Sequence, residues 1–405
     1  MGKTPSLTVT LEAVTPLFLG GADPYGAPEL RAPSFRGALR YWLRAALGGV
    51  YGDDAAGLHA IRRAEARVFG STEADWGGAS AVVIQCKCKE VQPRPVNYGL
   101  EKDVQTQKSG KTVSQPSGRD YLYWSMSGFR GRPSRQYYPE GSRFLLELRV
   151  RPGVSDNDQV FQEAIAALWL LVQLGGVGSR SRRIGGSLSV LEPEEACGFS
   201  FVLRSENPKE IAQELGKGLT AVRKLFQQHH PEGRNLSLSN PSEFDILHPT
   251  VCKVWVLGIW RSSAQAVEAI GVALRDFRTY REPDHTEVAK WLTGTPIQTV
   301  ERSVFGLPLP FRYSGKGLQG IVQGRTKPPE KAINRRASPL WLTVSKTDRG
   351  QYVGVATLFC SRFLPKGEQL HGRQDRVPAL SPPADYRLIE QFIAEKFHAE
   401  EVPYA

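Results

Sequence analysis

Residues 175–186 read Gly175-Gly176-Val177-Gly178-Ser179-Arg180-Ser181-Arg182-Arg183-Ile184-Gly185-Gly186, and what flanks them decides the fold. Before them, Phe161, Ile165, Leu168 and Val172 recur at helical spacing; after them, Ser187 to Leu191 reads as a short strand. Helix, loop, strand is the reverse of the strand–loop–helix order of a dinucleotide fold, and no GKS or GKT ending makes it a Walker loop. Glycines permit positive φ and close backbone approach. The loop's amides can therefore face phosphate oxygens while Arg180, Arg182 and Arg183 add charge and bidentate hydrogen bonds. The bland alternative is a mobile surface loop, which the pairing of glycines with arginines disfavours.

Upstream, Leu7, Val9, Leu11 and Ala13 alternate with polar residues as a half-buried strand does. Pro33–Ser34 opens a helix with Leu39, Leu43, Ala46 and Leu47 on one face, and Gly48–Gly49 is expected to stop it. Strands follow at Ala81 to Cys86 and Phe144 to Val150, with a long insertion between them at 92–141. With the helix and strand around the Gly/Arg loop, the order is the β-α-β-β-α-β of a ferredoxin-like domain. A second unit is expected from Phe199, with a helix through Ile211, Leu215, Leu219, Val222 and Phe226, an apolar strand from Val251 to Ile259, and a helix through Val267, Ile270, Leu274 and Phe277. This half is no clean copy of the first. The reading is α+β: two ferredoxin-like domains with insertions, 1–195 and 196–405, the second with helical insertions.

The 405 residues exceed what one core supports and agree with two domains. A formal charge of +11 and a pI near 9.4 favour a polyanionic partner without naming it. Five cysteines, odd in number and never spaced CxxC, exclude a disulfide scaffold or zinc ribbon and fit a reducing compartment. Met1 to Pro16 has no apolar signal core and no run of about 18 apolar residues occurs, so the expected location is cytoplasmic.

On the first helix Arg36, Arg40 and Arg44 recur every four residues, opposite the apolar face. Such stripes are usually solvated, but no acidic residue lies between Arg31 and Arg44, and Arg36 sits in the first turn where the helix dipole disfavours a cation. An external phosphate would relieve both, and the stripe and the Gly/Arg loop are expected to form one phosphate-binding surface. In the insertion, Tyr121, Tyr123 and Trp124 precede Phe129, Arg130, Arg132 and Arg135. Aromatics beside arginines can stack bases next to phosphate contacts. Tyr121 to Trp124 could equally be a strand; Tyr121 and Tyr123 are read as core, and Arg130, Arg132 and Arg135 as facing RNA or a neighbouring subunit. The polar stretch from Gly99 to Gly118 is read as mobile. Catalysis finds little support: His229–His230 is the only close histidine pair, read as ending a helix, and no HExxH or HxH clusters metal ligands. No catalytic residue, metal or cofactor is expected.

Longer strings carry a resemblance. The loop from Gly175 to Gly186 looks like the glycine-rich loop of RAMP proteins, and TPLFLGGADPYGAPELRAPSFRGALRYWLRAALGG, from Thr15, is similar to the N-terminal region of the family that supplies the first subunit of the type III-B CRISPR (Cmr) assembly. FGLPLPFRY from Phe305 and RRASPLWLTV from Arg335 resemble that family's later motifs, so the likeness runs over most of the chain. One departure is Ile184, where the family pattern has another glycine. The resemblance implies a non-catalytic subunit that contacts crRNA near its 3′ end and target RNA through backbone phosphates, beside other RAMP subunits. The carried-over contacts are Arg36, Arg40, Gly178, Arg180, Arg182 and Arg183, with Arg335 and Arg336 weighed evenly against an ordinary surface pair; Arg44, Gly176 and Ser179 join the RNA-contact candidates from the stripe and the loop themselves. The alternative is a RAMP endoribonuclease that processes CRISPR RNA, in which a His, Tyr or Lys near the loop would act as acid or base.

Overall fold

The computed structural model describes residues 4–88, 95–101, 103–108, 111–128, 131–234, 237–279, 281–313, 317–325, 335–372 and 377–405. In the first half, β1 (Ser6–Ala13), α1 (Ala32–Tyr51), α2 (Ala55–Phe69), β2 (Val82–Cys88), α3 (Gly118–Tyr123), β3 (Arg143–Val150), α4 (Asn157–Leu174) and β4 (Leu188–Glu192) follow one another. The four strands form one antiparallel sheet in the order β2-β3-β1-β4, the ferredoxin-like arrangement, with α1 and α4 packed on it. Central β1 sets the register: Leu11 lies opposite Phe144 on one side and Val190 on the other, which brings inward-pointing apolar residues together.

Helix α1 runs through Gly48–Gly49 instead of stopping there. Those glycines are packing positions: a Cβ on Gly49 would lie 2.5 Å from the Leu247 carbonyl oxygen. The helix ends at Gly52, whose φ of 77° is a glycine conformation. Helix α2, not foreseen, begins at once, because the Asp54 carboxylate accepts from Gly57 N at 2.7 Å as an N-cap.

The second half comprises α5 (Pro208–His229), β5 (Cys252–Trp260), α6 (Ser263–Arg278), α7 (Asp284–Leu292), β6 (Leu309–Tyr313), β7 (Leu318–Arg325), β8 (Leu340–Lys346), β9 (Tyr352–Phe359), β10 (Gln369–Gly372), α8 (Arg387–Lys396) and β11 (Glu400–Glu401). Its main sheet runs β8-β9-β5-β11, all antiparallel. Taking β5, α6, β8, β9, α8 and β11 in turn gives the same ferredoxin-like order, with α7 and the small sheet β6-β7-β10 inserted. The unit therefore opens at β5 and not near Phe199, where the strand is a two-residue pair with Glu195–Ala196 and α5 is the connecting helix. Aromatic contacts join the halves: Trp42 and Tyr41 of α1 lie 5.4 and 5.0 Å from Trp341 of β8. Among the described residues no helix is long and apolar enough to cross a membrane.

Within 92–141, residues 104–108 and 111–115 pair as a hairpin, and Tyr121 and Tyr123 lie on a helix, not a strand. Glycine-on-glycine packing fixes α3 on α6, a Cβ on Gly271 meeting Gly118 O at 2.1 Å, and Glu268 accepts from Gly118 N at 2.9 Å and Arg119 N at 3.1 Å, capping α3 from across the domain boundary.

Candidate nucleic-acid interface

Seen from its hydrogen bonds, the Gly/Arg loop is a clasp. Gly178 has φ 87°, and a Cβ there would meet the Phe18 carbonyl oxygen at 2.3 Å, so no other residue fits without rearrangement. Amides that were expected to face phosphates are spent internally: Ser179 N donates to Phe18 O, Val177 N to Gly186 O, Gly186 N to Pro16 O, and Arg183 N and Gly185 N to Arg180 O. Ile184 takes a left-handed φ of 68°, as a glycine would. Its side chain is fully buried and its N–H donates to Leu342 O of β8 at 2.9 Å, which holds a β-branched residue in a conformation it disfavours.

The guanidinium groups project from this clasp into a cleft of about 910 Å3. Arg180, Arg182 and Arg183 come from the loop, Arg278 from the end of α6, and Arg302, Arg312, Arg335 and Arg336 from the segments around β6 and before β8. Among the described lining residues none is Asp, Glu or Lys. Two nearby carboxylates give partial compensation: Asp245 pairs with Arg182 at 3.2 Å and Arg336 at 3.9 Å, and Asp284 with Arg302 at 3.5 Å.

These arginines differ in what they can offer a ligand. Arg180 Nε donates to Leu122 O at 2.7 Å, and Arg182 to Ser338 O, with its cation 4.7 Å over the Trp341 ring. Arg336 is tied to Phe363 O and Ser361. Arg183 donates through Nη2 to Phe305 O at 2.6 Å, but Nη1 is covered and has no partner; Nε of Arg278 is in the same state, while Nε of Arg302 has only the ion pair with Asp284 at 3.5 Å. Burial, and then the neighbouring Arg278 and Arg180, push Arg183 down to about 9; burial likewise lowers Arg180 and Arg302. Arg183 is still charged at neutral pH, so the cleft holds cations short of acceptors, which an oxyanion ligand would supply. Arg312 and Arg335 are exposed at its edge.

Arg36, Arg40 and Arg44 do not line this cleft. The counter-charge missing from their own helix comes from α2: Arg40 Nε and Arg44 Nη1, the latter at 2.9 Å, both pair with Glu65, which is 5% exposed. Arg36 has no share in that pairing: its Nε is covered and without a hydrogen-bond partner, so Arg40 and Arg44 are neutralised from α2 and Arg36 is not. Arg130 lies outside the described residues. Arg132 is exposed and Arg135 sits over the Tyr25 ring at 5.6 Å, both away from the cleft lining. Tyr123 is buried as read, but Tyr121 faces the cleft, where its hydroxyl accepts from Arg278 at 3.0 Å. The sequence reading missed Arg278, Arg302, Arg312 and Tyr313; the last two stand inside the FGLPLPFRY string.

His229 and His230 do more than end α5. They contact buried Glu163 at 3.2 and 3.1 Å, with Arg67 at 2.8 Å. Burial would raise the Glu163 carboxyl, but the hydrogen bonds from His229 and His230 overcome it and hold it at about 2. Among the described residues no group of three or more His, Cys, Asp or Glu is placed to hold a metal ion.

Residues 10–189 match the model of the RAMP superfamily. The Pyrococcus furiosus protein CRISPR system Cmr subunit Cmr1-2 is 30% identical over 189 residues, covering 44% of this chain and 92% of that protein. Subunit Cmr1-1 of the same organism is 28% identical over 348 residues, 85% of this chain and 84% of the relative. The crystal structure of Cmr1 from Pyrococcus furiosus in its apo form superposes with a TM-score of 0.60 at 24% identity, over 98% of each chain. A chain of the type III-B Cmr-beta complex bound to cognate target RNA does so with a TM-score of 0.53 at 12% identity, over 96% of this chain and 98% of that one. The chain belongs to the RAMP superfamily and, within it, to the Cmr1 family of CRISPR Cmr subunits.

Proposed function

We propose that the protein is a non-catalytic, cytoplasmic RNA-binding subunit of a type III-B Cmr effector complex, contacting crRNA near its 3′ end and target RNA through backbone phosphates, with other RAMP subunits as neighbours. The observation that carries this is the arginine cleft: eight guanidinium groups against two ion-paired carboxylates, with buried N–H groups left without acceptors. Arginines read phosphate geometry and carry little sequence information, so binding is expected to be nearly sequence-blind.

Salt titration of RNA affinity tests it. Arg183, Arg278, Arg312 and Arg335 are the cations least committed to internal acceptors, and about four phosphates neutralised on a single strand give a slope of log K against log salt near −3. The pair Arg312→Ala/Arg335→Ala should bring it to about −1.5. An unchanged slope would remove the cleft from the RNA path.

One observation favours the alternative, an endoribonuclease that processes CRISPR RNA: His285 and Tyr313 line the same cleft, with ring centroids 4.9 Å apart. Against it, the Tyr313 hydroxyl already donates to His285 O at 2.7 Å and burial raises its pKa, which makes it a poor base. Discrete products from a repeat RNA, abolished by His285→Ala, would establish the enzyme instead.

A further inference from the structure

Three large hydrophobic side chains are strongly exposed among the described residues, Val96, Leu100 and Trp124, and of these Trp124 alone lines the arginine cleft, at 55% exposure. An indole left in water beside so many guanidinium groups calls for an explanation, because burying it would be worth a few kcal/mol. Its position is fixed rather than incidental. The helix that ends just before it is capped by Glu268 and Ser117, its Gly118 packs directly on α6, and Tyr98 donates to Asp120 at 2.6 Å. Tyr123, the preceding residue, is fully buried edge-on against Phe18. The same short helix touches the cleft's cations: Leu122 O accepts from Arg180 and the Tyr121 hydroxyl from Arg278.

We propose that Trp124 is a stacking platform for an unpaired RNA base whose strand lays its phosphates along the arginine cleft, a proposal that rests on the RNA-binding reading above. A base inside a duplex has both faces covered by its neighbours, whereas a base in a single strand offers a free face to an aromatic ring. An exposed ring on a fixed backbone next to phosphate-binding cations is the pairing that single-strand binders use, and it tolerates any base because every base has a π-face. The cleft therefore selects unpaired nucleotides over duplex while staying indifferent to sequence.

The test uses the full chain and a labelled single-stranded oligoribonucleotide of about ten nucleotides. Trp124→Ala should weaken binding by roughly tenfold, with Trp124→Phe within about threefold of the wild type. Stacking releases no counterions, so the salt slope of Trp124→Ala should equal that of the wild type. Placing an abasic residue at successive positions should find one where the wild type loses the same factor and Trp124→Ala loses nothing further. Annealing a complementary strand should erase the difference between wild type and Trp124→Ala. If Trp124→Ala binds the single strand as the wild type does, or its loss persists undiminished with the duplex, the platform is wrong while salt-dependent RNA binding stands. If the wild type binds no RNA, both readings fall.

Discussion

Replacing Arg183 with methionine should make the unliganded protein more stable and its RNA complex weaker. The guanidinium has one covered N–H without an acceptor and sits near Arg180, Arg182 and Arg278. Its depression from the ordinary guanidinium value to about 9 corresponds to at most about 5 kcal/mol of unfavourable surroundings for the charge. Solvent still reaches part of the side chain, which cuts this to about 2–3 kcal/mol. Methionine forfeits the hydrogen bond to Phe305 O, worth about 1 kcal/mol, so the balance is about 1–2 kcal/mol in favour of the variant. At roughly 2–4 °C per kcal/mol, the melting temperature in low-salt buffer should rise by about 2–8 °C. A cation with a lowered folded-state pKa leaves the folded chain with fewer bound protons than the unfolded chain only from about 9 up to the ordinary guanidinium value; stability rises with pH there, and the whole penalty is present below about 9. Melts at pH 7.5 therefore see the full effect. Adding sulfate or a short RNA should raise the wild-type melting temperature more than the variant's, and RNA affinity should fall by about tenfold or more, the loss of one charge-assisted contact. A variant that melts lower than the wild type in low salt and binds RNA equally well would show that Arg183 is a structural tie and not a site awaiting an anion.

Glu163→Gln should cost about 3 kcal/mol at neutral pH, the value of holding a buried carboxylate at about 2 against an ordinary 4.5. Because the folded-state pKa is lowered, that stability is complete above about 4.5 and lost as pH falls toward 2, so the gap between wild type and variant in urea titrations should narrow across that window. Gly178→Ala should destabilise by about 2–4 kcal/mol in thermal melts, since its φ of 87° and a Cβ 2.3 Å from Phe18 O leave no room.

How much could be read beforehand depended on whether a signal was local. Strand β3 alternates in burial because one face meets helices, and β1 alternates in sequence although its polar Thr10 and Glu12 are buried as well, so both periods were legible. Strands β8 and β9 are buried almost throughout with no alternation in burial, so β8 was met only inside the RRASPLWLTV string and β9 was not read at all. Helix α2 was missed although Asp54 and the spacing of Leu58, Ile61, Glu65 and Val68 marked it, and with it went Glu65, the counter-charge of Arg40 and Arg44 one helix away. The arginines of the loop announced themselves by composition. Arg278 and Arg302 lie about a hundred residues further on among ordinary helical and turn residues, and only the docking of the second unit onto the first brings them to the loop.

That docking gives the Gly/Arg loop two roles at once. Ile184 N bonds Leu342 O, Ser187 Oγ contacts Thr343 Oγ1 at 3.0 Å, Thr343 donates back to Gly175 O at 2.7 Å, and Arg182 reaches Ser338 O and Asp245. The residues that form the cleft wall are thus the ones that fasten β8 to the first unit. Loss of binding on changing Arg182 would not locate RNA, because the wall itself would move; the exposed Arg312, Arg335 and Trp124 are the lining residues whose replacement perturbs the ligand rather than the clasp. The strain at Ile184 follows the same logic: a glycine would suit its φ, but a buried side chain there joins the core of the second unit, so the chain accepts an unfavourable backbone conformation in exchange for a fixed angle between the two walls. A cleft whose cations repel one another needs such rigidity, since a flexible one would open to separate them before any phosphate arrived.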